Sequence, residues 1–276
     1  MTLAEVLRGA TEYLAARGVD SPRVDAELLL ARALGLERIE LYTQHDRPLT
    51  EAERSAAREL VQRRGRREPL AYVLGDWSFR RLTLRTDRRA LVPRPETEIV
   101  VERCLALLGG LDAPSVVDVG TGSGAIALAL KQERPDARVV ATDASAEALA
   151  LARENAGTNG LDVELVHTDL LAGVEGPFQL VVSNPPYVLA GELEGLQPEV
   201  RDWEPRAALL DDGQTGRLIE DARAVLEGVL VLEVHEEHAP RVSADLEAAG
   251  YGGVTVTRDL AGRERIVEGR WTRSRR

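Results

Sequence analysis

Cysteine and lysine are almost absent from this chain: Cys104 is its only cysteine and Lys131 its only lysine in 276 residues. A single thiol excludes an intramolecular disulfide and any multi-cysteine metal site, and a cytoplasmic location is the default expectation. No run of about 18 apolar residues occurs, so no transmembrane helix is expected. The opening Met1-Thr2-Leu3-Ala4-Glu5 lacks a basic stretch followed by an apolar core, so no signal peptide is expected. There is no internal repeat and no low-complexity segment. Of His45, His167, His235 and His238, only the last two stand close together, and they lack partners; no metal is expected.

What is present is ordinary for a globular protein: 44% apolar and 29% charged residues, in a length that suits one large domain and a small one. The net charge of −11 argues against a protein that grips nucleic acid, which normally shows a basic face to phosphates. Arg54, Arg58, Arg63, Arg64, Arg66 and Arg67 form a local basic run, read here as a solvated helix face.

Residues 1–69 read as a small helical domain. Leu3, Val6, Leu7, Ala10 and Leu14 recur at helical spacing. Ser21-Pro22 marks a helix start with Ser as N-cap, and Thr50-Glu51-Ala52-Glu53 is a capping box. Residues 70–94 read as a β-hairpin linker, with β-like runs at Tyr72-Val73-Leu74 and Leu82-Thr83-Leu84 flanking Gly75-Asp76; Pro95 can open the next helix. Over 95–276 strands and helices alternate. Strands are expected at Ser115–Val119, Arg138–Thr142, Val163–His167, Gln179–Val182 and Val229–Val234, and helices at Gly124–Glu133, Ala144–Asn155, 215–227 and 237–249. Val254–Arg258 and Arg263–Glu268 close the sheet as a hairpin. The expected fold class is α/β, a mostly parallel seven-stranded Rossmann-like sheet with one antiparallel edge.

Between the first of these strands and its helix lies Asp118-Val119-Gly120-Thr121-Gly122-Ser123-Gly124. Glycines at 120, 122 and 124 permit a tight turn and close approach of the backbone to a ligand. Dinucleotide sites use Gly-x-Gly-x-x-Gly, with the pyrophosphate on the helix N-terminus; here the spacing is Gly-x-Gly-x-Gly. This loop resembles that of class I S-adenosylmethionine methyltransferases, whose cofactor has no phosphate, and NAD is the competing ligand. Asp143, about 20 residues further on at the end of the second strand, can accept bonds from both ribose hydroxyls. Asp169 can accept from the adenine amino group and Leu170 can cover a face of the ring. The bland alternative for such acids is the N-cap of the next helix.

Ser183-Asn184-Pro185-Pro186-Tyr187 follows the fourth strand. Ligands of such sheets bind beyond the carboxyl ends of the strands, so Asn184 should face the cofactor's methyl group. An amide nitrogen is a poor nucleophile because its lone pair is delocalised into the carbonyl. An enzyme that alkylates it must accept the NH2 hydrogens and turn the lone pair toward the methyl. The Asn184 carbonyl and the Pro185 carbonyl, stiffened by Pro186, can do so, and Tyr187 offers a flat face to a planar group. The motif resembles those of amino-methyltransferases acting on adenine, cytosine or glutamine and does not separate these acceptors.

Further stretches extend the resemblance over nearly the whole chain: Ser21-Pro22-Arg23-Val24-Asp25-Ala26-Glu27-Leu28-Leu29-Leu30, Arg67-Glu68-Pro69-Leu70-Ala71-Tyr72-Val73-Leu74-Gly75, Leu91-Val92-Pro93-Arg94-Pro95-Glu96-Thr97-Glu98 and Glu204-Pro205-Arg206-Ala207-Ala208-Leu209. Together with the glycine loop and Asn-Pro-Pro-Tyr, they resemble the PrmC/HemK family of release factor glutamine methyltransferases. The resemblance implies transfer of a methyl group from S-adenosylmethionine to the glutamine of a Gly-Gly-Gln motif in class 1 release factors. It implies Asn184, Pro185, Pro186 and Tyr187 at the glutamine, with Asn184, Pro185 and Tyr187 catalytic. Gly120, Thr121, Gly122, Ser123, Gly124, Asp143, Asp169, Leu170 and Asn184 would lie at the cofactor. The helical domain would dock the release factor, Glu204 would help to close the site, and Arg94 or Glu98 would shape the cofactor entrance. A monomer with no membrane partner and no direct nucleic-acid contact is expected. Rival readings are a ribosomal-protein glutamine methyltransferase, a DNA adenine methyltransferase and a non-catalytic cofactor-binding module. The chain departs from the family pattern near residue 229: Leu226-Glu227-Gly228-Val229 replaces the usual Pro-Gly-Gly turn, and Val234-His235-Glu236-Glu237 replaces Gly-x-x-Gln, while Glu233 is kept.

Overall fold

The computed structural model describes residues 1–272. It opens with five helices: α1 (Leu3–Ala15), α2 (Pro22–Leu34), α3 (Glu40–Thr43), α4 (Glu51–Gly65) and α5 (Leu70–Leu74). A hairpin of β1 (Asp76–Phe79) and β2 (Leu82–Arg85) follows, then α6 (Pro95–Leu107), β3 (Ser115–Val119), α7 (Ala125–Glu133), β4 (Arg138–Asp143), α8 (Ala146–Asn159), β5 (Glu164–His167) and β6 (Phe178–Ser183). The remainder comprises the short α9 (Pro198–Arg201), α10 (Gln214–Val225), β7 (Leu226–Glu233), α11 (Ala239–Ala248), β8 (Gly252–Arg258) and β9 (Glu264–Trp271). No described helix is long and apolar enough to cross a membrane.

Two compact units result: Met1–Asp76 with Leu196–Trp203, and Trp77–Gly195 with the chain from Glu204 onward. In the helical unit, α1 and α4 start with reciprocal capping boxes, Thr2 with Glu5 and Thr50 with Glu53. Ser21 does precede α2, but its hydroxyl makes no capping bond and Pro22 alone marks the start. Tyr72–Leu74, expected as a strand, is helical in α5. Pro69 precedes that turn, Gly75 ends it at φ 82°, and Ala71, Tyr72 and Val73 are buried. Burial and these two end signals override the local β preference.

The arginine run is not simply a solvated face. Arg63 donates to Glu68 at 3.0 Å, and Arg67 grips Glu199 through two bonds of 2.7 and 2.6 Å. Arg64, only 6% exposed, pairs with Asp25 at 2.7 Å and with Glu199 at 2.8 Å. Arg64 continues the buried stripe of Ala57 and Val61 on α4. Arginine in this patch therefore ties α9 into the helical unit, while Arg58 and Arg66 remain exposed.

The second unit is a seven-stranded sheet in the order β5-β4-β3-β6-β7-β9-β8. Strands β3 to β7 pair in parallel, and β9 runs antiparallel to both β7 and β8. The inner parallel strands β3, β6 and β7 are apolar on both faces because helices cover both, whereas the edge strand β5 is only half-buried. Val117 and Val181 enter one core with α10 and α11; Val116, Leu180 and Val182 enter the other with α6, α7 and the hairpin residues Phe79, Leu82 and Leu84. α10 ends at Val225 and β7 begins at Leu226, so the helix passes directly into the strand. Gly228 is required there, since a Cβ would collide with the carbonyl of Gln179.

Candidate active site at the carboxyl ends of the strands

Sheet register brings the motifs together. Val119 pairs with Thr142 on one side and Ser183 on the other, and Ser183 pairs with Leu232. The residues that follow, Gly120, Asp143, Asn184 and Glu233, therefore emerge side by side. Successive connections run outward in opposite directions from β3 and β6, which makes this the switch point where such sheets bind ligands.

The glycine loop is built by backbone geometry. Gly120, Gly122 and Gly124 all have positive φ (72°, 58° and 85°), and the amides of Gly120 and Thr121 both donate to the Thr142 carbonyl at 2.9 Å. A Cβ on Gly120 would meet nothing within 4 Å, so bare backbone faces open space. The Gly122 amide donates to Asp143 Oδ2 at 2.8 Å, and Asp143 Oδ1 takes the Ser145 amide at the same distance. The cap of α8 is Ser145, whose hydroxyl accepts from Ala148; Asp143 is left with lone pairs for ribose hydroxyls.

Asp118 lies beneath the loop, 1% exposed. Its Oδ2 accepts from the Thr121 hydroxyl at 2.7 Å and the Ala127 amide at 3.1 Å, while Oδ1 has no partner among the described residues. Burial, against those two bonds, pushes its pKa up to about 7. An internal carboxylate thus occupies part of the N-terminus of α7, where a dinucleotide would place its pyrophosphate. The loop fits a cofactor without phosphates, such as S-adenosylmethionine, and disfavours NAD. Asn155 fixes the loop from behind: its Nδ2 donates to the carbonyls of Ser123 (2.9 Å) and Arg85 (3.2 Å), and its Oδ1 accepts the Arg85 amide at 2.7 Å.

Asn184 is half-buried, Pro185 is buried, and Pro186 and Tyr187 are half-buried. The Ser183 hydroxyl donates to the Val119 carbonyl at 2.6 Å and locks β6 to the strand carrying the glycine loop. Asn184 Nδ2 donates to Thr97 Oγ1 at 3.4 Å, and Thr97 is itself buried on the first turn of α6. Burial pushes Glu233 up to about 7, and its Oε2 has no partner among the described residues. Burial also raises the Tyr187 phenol, so that side chain stays neutral; its ring centroid is 6.0 Å from that of His235.

Asp169 and Leu170 follow β5 at the same edge, but the Asp169 carboxylate is exposed and paired with Arg217 at 2.6 Å. Leu170 has φ 50°, and its carbonyl accepts the Thr142 hydroxyl at 2.9 Å. Arg94 Nη2 donates to both oxygens of Glu204 at 2.7 and 2.9 Å; Glu204 is buried, which raises its pKa despite the guanidinium. Glu98 instead accepts the Arg80 amide at 3.0 Å in the hairpin turn. Among the described residues no cluster of three or more His, Cys, Asp or Glu side chains converges as a metal site.

Comparison with known proteins settles the lineage. The family profile of the PrmC N-terminal domain matches residues 5–75, and that of the methyltransferase small domain matches residues 99–196. A release factor glutamine methyltransferase of Deinococcus radiodurans is 44% identical over 276 residues, covering 98% of this chain and 99% of that one. The chain belongs to the release factor glutamine methyltransferase family. A member from Geobacter sulfurreducens is 41% identical, covering 98% of this chain and 96% of that one. Family membership makes the chain an S-adenosylmethionine-dependent methyltransferase. Among solved structures, the Thermus thermophilus 16S rRNA N2 G1207 methyltransferase, in complex with AdoMet and guanosine, is 19% identical with a TM-score of 0.54. It covers 71% of this chain and 49% of that one, and the likeness bears on the fold alone.

Sequence reasoning missed Thr97 as a partner of Asn184, and it missed Asn155 and Asp118 as supports of the loop. Asn155 could have been found: it falls on the buried stripe of α8 with Leu151 and Ala152, where a polar residue needs a partner.

Proposed function

We propose that this chain transfers the methyl group of S-adenosylmethionine to the side-chain amide nitrogen of the glutamine in the Gly-Gly-Gln motif of class 1 release factors. One observation carries the reading: the register of Val119 with Ser183 sets Asn-Pro-Pro-Tyr beside the glycine loop. The bound cofactor supplies an electrophilic methyl on a positively charged sulfur. The chain's task is to present a weak nucleophile. Asn184 Oδ1 and the Pro185 carbonyl accept the two NH2 hydrogens and turn the nitrogen lone pair toward the methyl. Tyr187 packs its ring on the flat amide. A nitrogen–carbon bond forms as the sulfur–carbon bond breaks, and the surplus proton leaves to solvent from the methylated nitrogen. Holding the reactants in line can contribute up to about 7–11 kcal/mol, so no general base is required.

On this reading Gly120–Gly124, Asp143, Asp169 and Leu170 hold the cofactor, and the helical unit docks the release factor. The enzyme acts as a monomer in the cytoplasm, where its substrate works. Net charge −11 counts against a nucleic-acid acceptor. The test is label transfer from methyl-labelled cofactor to a release factor, to the same factor with its motif glutamine replaced, to ribosomal proteins and to DNA. Label in the intact factor alone is expected, with at least about 100-fold loss in Asn184→Ala. Label that persists after the glutamine is replaced, or that prefers ribosomal protein or DNA, overturns the acceptor assignment.

A further inference from the structure

His235 lies just beyond β7, in the stretch where the chain departs from the family's Gly-x-x-Gln pattern. Its half-buried imidazole stands beside Tyr187, with ring centroids 6.0 Å apart and planes tilted by 34°. His238 meets the same imidazole edge-on, at 5.8 Å and 64°. Nδ1 of His235 accepts the Glu237 amide at 3.4 Å and so caps the short turn Glu236–His238 that leads into α11. One amide and two rings thus hold His235 in place. Tyr187 has fewer ties: His235 is its one ring partner among the described residues, and its hydroxyl has no hydrogen-bond partner among them.

We propose that His235 is a positioning residue for methyl transfer: its imidazole backs one side of the Tyr187 ring and sets the plane on which the acceptor amide lies. The proposal rests on the reading that Tyr187 packs on that amide. A rival geometry would slot the amide between the two rings. A planar group held that way needs about 7 Å from plane to plane, two carbon contact distances of about 3.5 Å each. Centroids 6.0 Å apart on tilted rings leave no such slot. His235 therefore occupies its own side of Tyr187, and the acceptor takes the other.

A tyrosine ring turns about two side-chain bonds. With no hydrogen bond on its hydroxyl, its plane is set by what the ring touches. Aromatic neighbours with centroids about 4.5–7 Å apart attract one another beyond their buried area, so His235 favours one orientation of Tyr187 over the others. The imidazole does not act on the reacting atoms. It raises the share of time in which Tyr187 lies ready for the amide, and alignment of that kind is sensitive to shifts of about 1 Å. His235 also caps a turn, and the two duties belong to different parts of the side chain: the ring serves Tyr187, and the Nδ1 lone pair serves Glu237.

Two variants of the full-length protein separate these duties. His235→Phe keeps a ring beside Tyr187 and loses the cap; His235→Asn keeps a capping acceptor and loses the ring. His235→Asn should lower kcat on a release factor about 3- to 10-fold, while the melting temperature and the Kd for S-adenosylmethionine stay within error. His235→Phe should keep most of the rate and melt slightly earlier. In the Tyr187→Ala background His235→Asn should cost nothing further, because the two side chains act as one unit. Independently of turnover, the Tyr187 ring protons should show nuclear Overhauser contacts to the His235 imidazole. Full kcat in His235→Asn, an equal loss in His235→Phe, additive losses in the double variant, or a Tyr187 ring without contact to His235 would each overturn the proposal. A wild-type protein that transfers no label to a release factor would instead sink the functional reading, and the role of His235 with it.

Discussion

Glu27 in the helical unit is 1% exposed, yet its carboxylate takes hydrogen bonds from Arg23 (2.5 Å), Arg38 (2.7 Å) and the Tyr42 hydroxyl (2.6 Å). Asp118 and Glu233 in the sheet unit are as deeply buried, at 1% and 5%, and each keeps one oxygen without a partner among the described residues. The consequences are opposite. Burial alone would raise Glu27, but its donors outweigh burial and hold it at about 2; at Asp118 and Glu233 burial prevails, and both rise to about 7. Glu199 follows Glu27, lowered by Arg67 and Arg64 against its burial, whereas Asp25 is raised because burial exceeds the effect of Arg64. Glu27 and Glu199 are supplied with several donors each; the two acids that keep an unpartnered buried oxygen, Asp118 and Glu233, stand beneath the glycine loop and at the strand end beside Asn184.

The comparison can be broken most forcefully through Arg64. Arg64→Met leaves Asp25 buried without its guanidinium and removes one partner of Glu199. Stripping one member from a buried pair costs about 3–5 kcal/mol, so the denaturant midpoint should fall sharply. A loss below about 1 kcal/mol would show that the paired carboxylates of the helical unit matter no more than surface charges.

A smaller effect of opposite sign is expected at Asp118. A carboxyl whose folded pKa is raised binds its proton more tightly in the native state. Its contribution is therefore full below the ordinary carboxylate range and lost as pH rises toward 7. Glu27, being lowered, contributes above that range and loses its contribution as pH falls toward 2. Asp118→Asn cannot ionise and still accepts from Thr121 and Ala127. The drop in stability between pH 4.5 and pH 8 should shrink in this variant by about 2–4 kcal/mol. An unchanged drop, measured by urea unfolding at the two pH values, would mean that Asp118 is not the strained group.

The same contrast explains what could be read from sequence. Strands β3, β4 and β6 were legible because apolar runs such as Val116-Val117 and Leu180-Val181-Val182 have no other use in an α/β chain. The glycine loop and Asn184 were legible because their chemistry is local, written in consecutive residues. Tyr72–Leu74 misled because its β-prone side chains form a helical turn that burial and Gly75 impose. The arginine run misled because charge type says nothing of direction: Arg64 turns inward to Asp25, 39 positions away in sequence, and no local pattern announces such a partner. Thr97 was in plain view inside Pro-Arg-Pro-Glu-Thr-Glu, but its tie to Asn184, 87 positions on, is a product of the fold.

The smallest effect sharpens the comparison at the surface. Asp169 and Arg217 form an ion pair whose side chains are 63% and 52% exposed, and such pairs contribute about 0–1 kcal/mol. Both Arg217→Ala and Asp169→Ala should therefore leave unfolding free energy within about 0.5 kcal/mol of the parent. Cofactor affinity should separate them. If the Asp169 carboxylate receives the adenine amino group, its loss removes one hydrogen bond of about 1 kcal/mol, or roughly fivefold in Kd. Arg217→Ala frees the same carboxylate from its competitor and should leave Kd equal or tighter. Isothermal titration with S-adenosylmethionine distinguishes the two: equal weakening in both variants would mean that the pair itself, rather than the acid, shapes the edge of the site. Asp169 would then group with the donor-supplied carboxylates of the helical unit and not with Asp118 and Glu233.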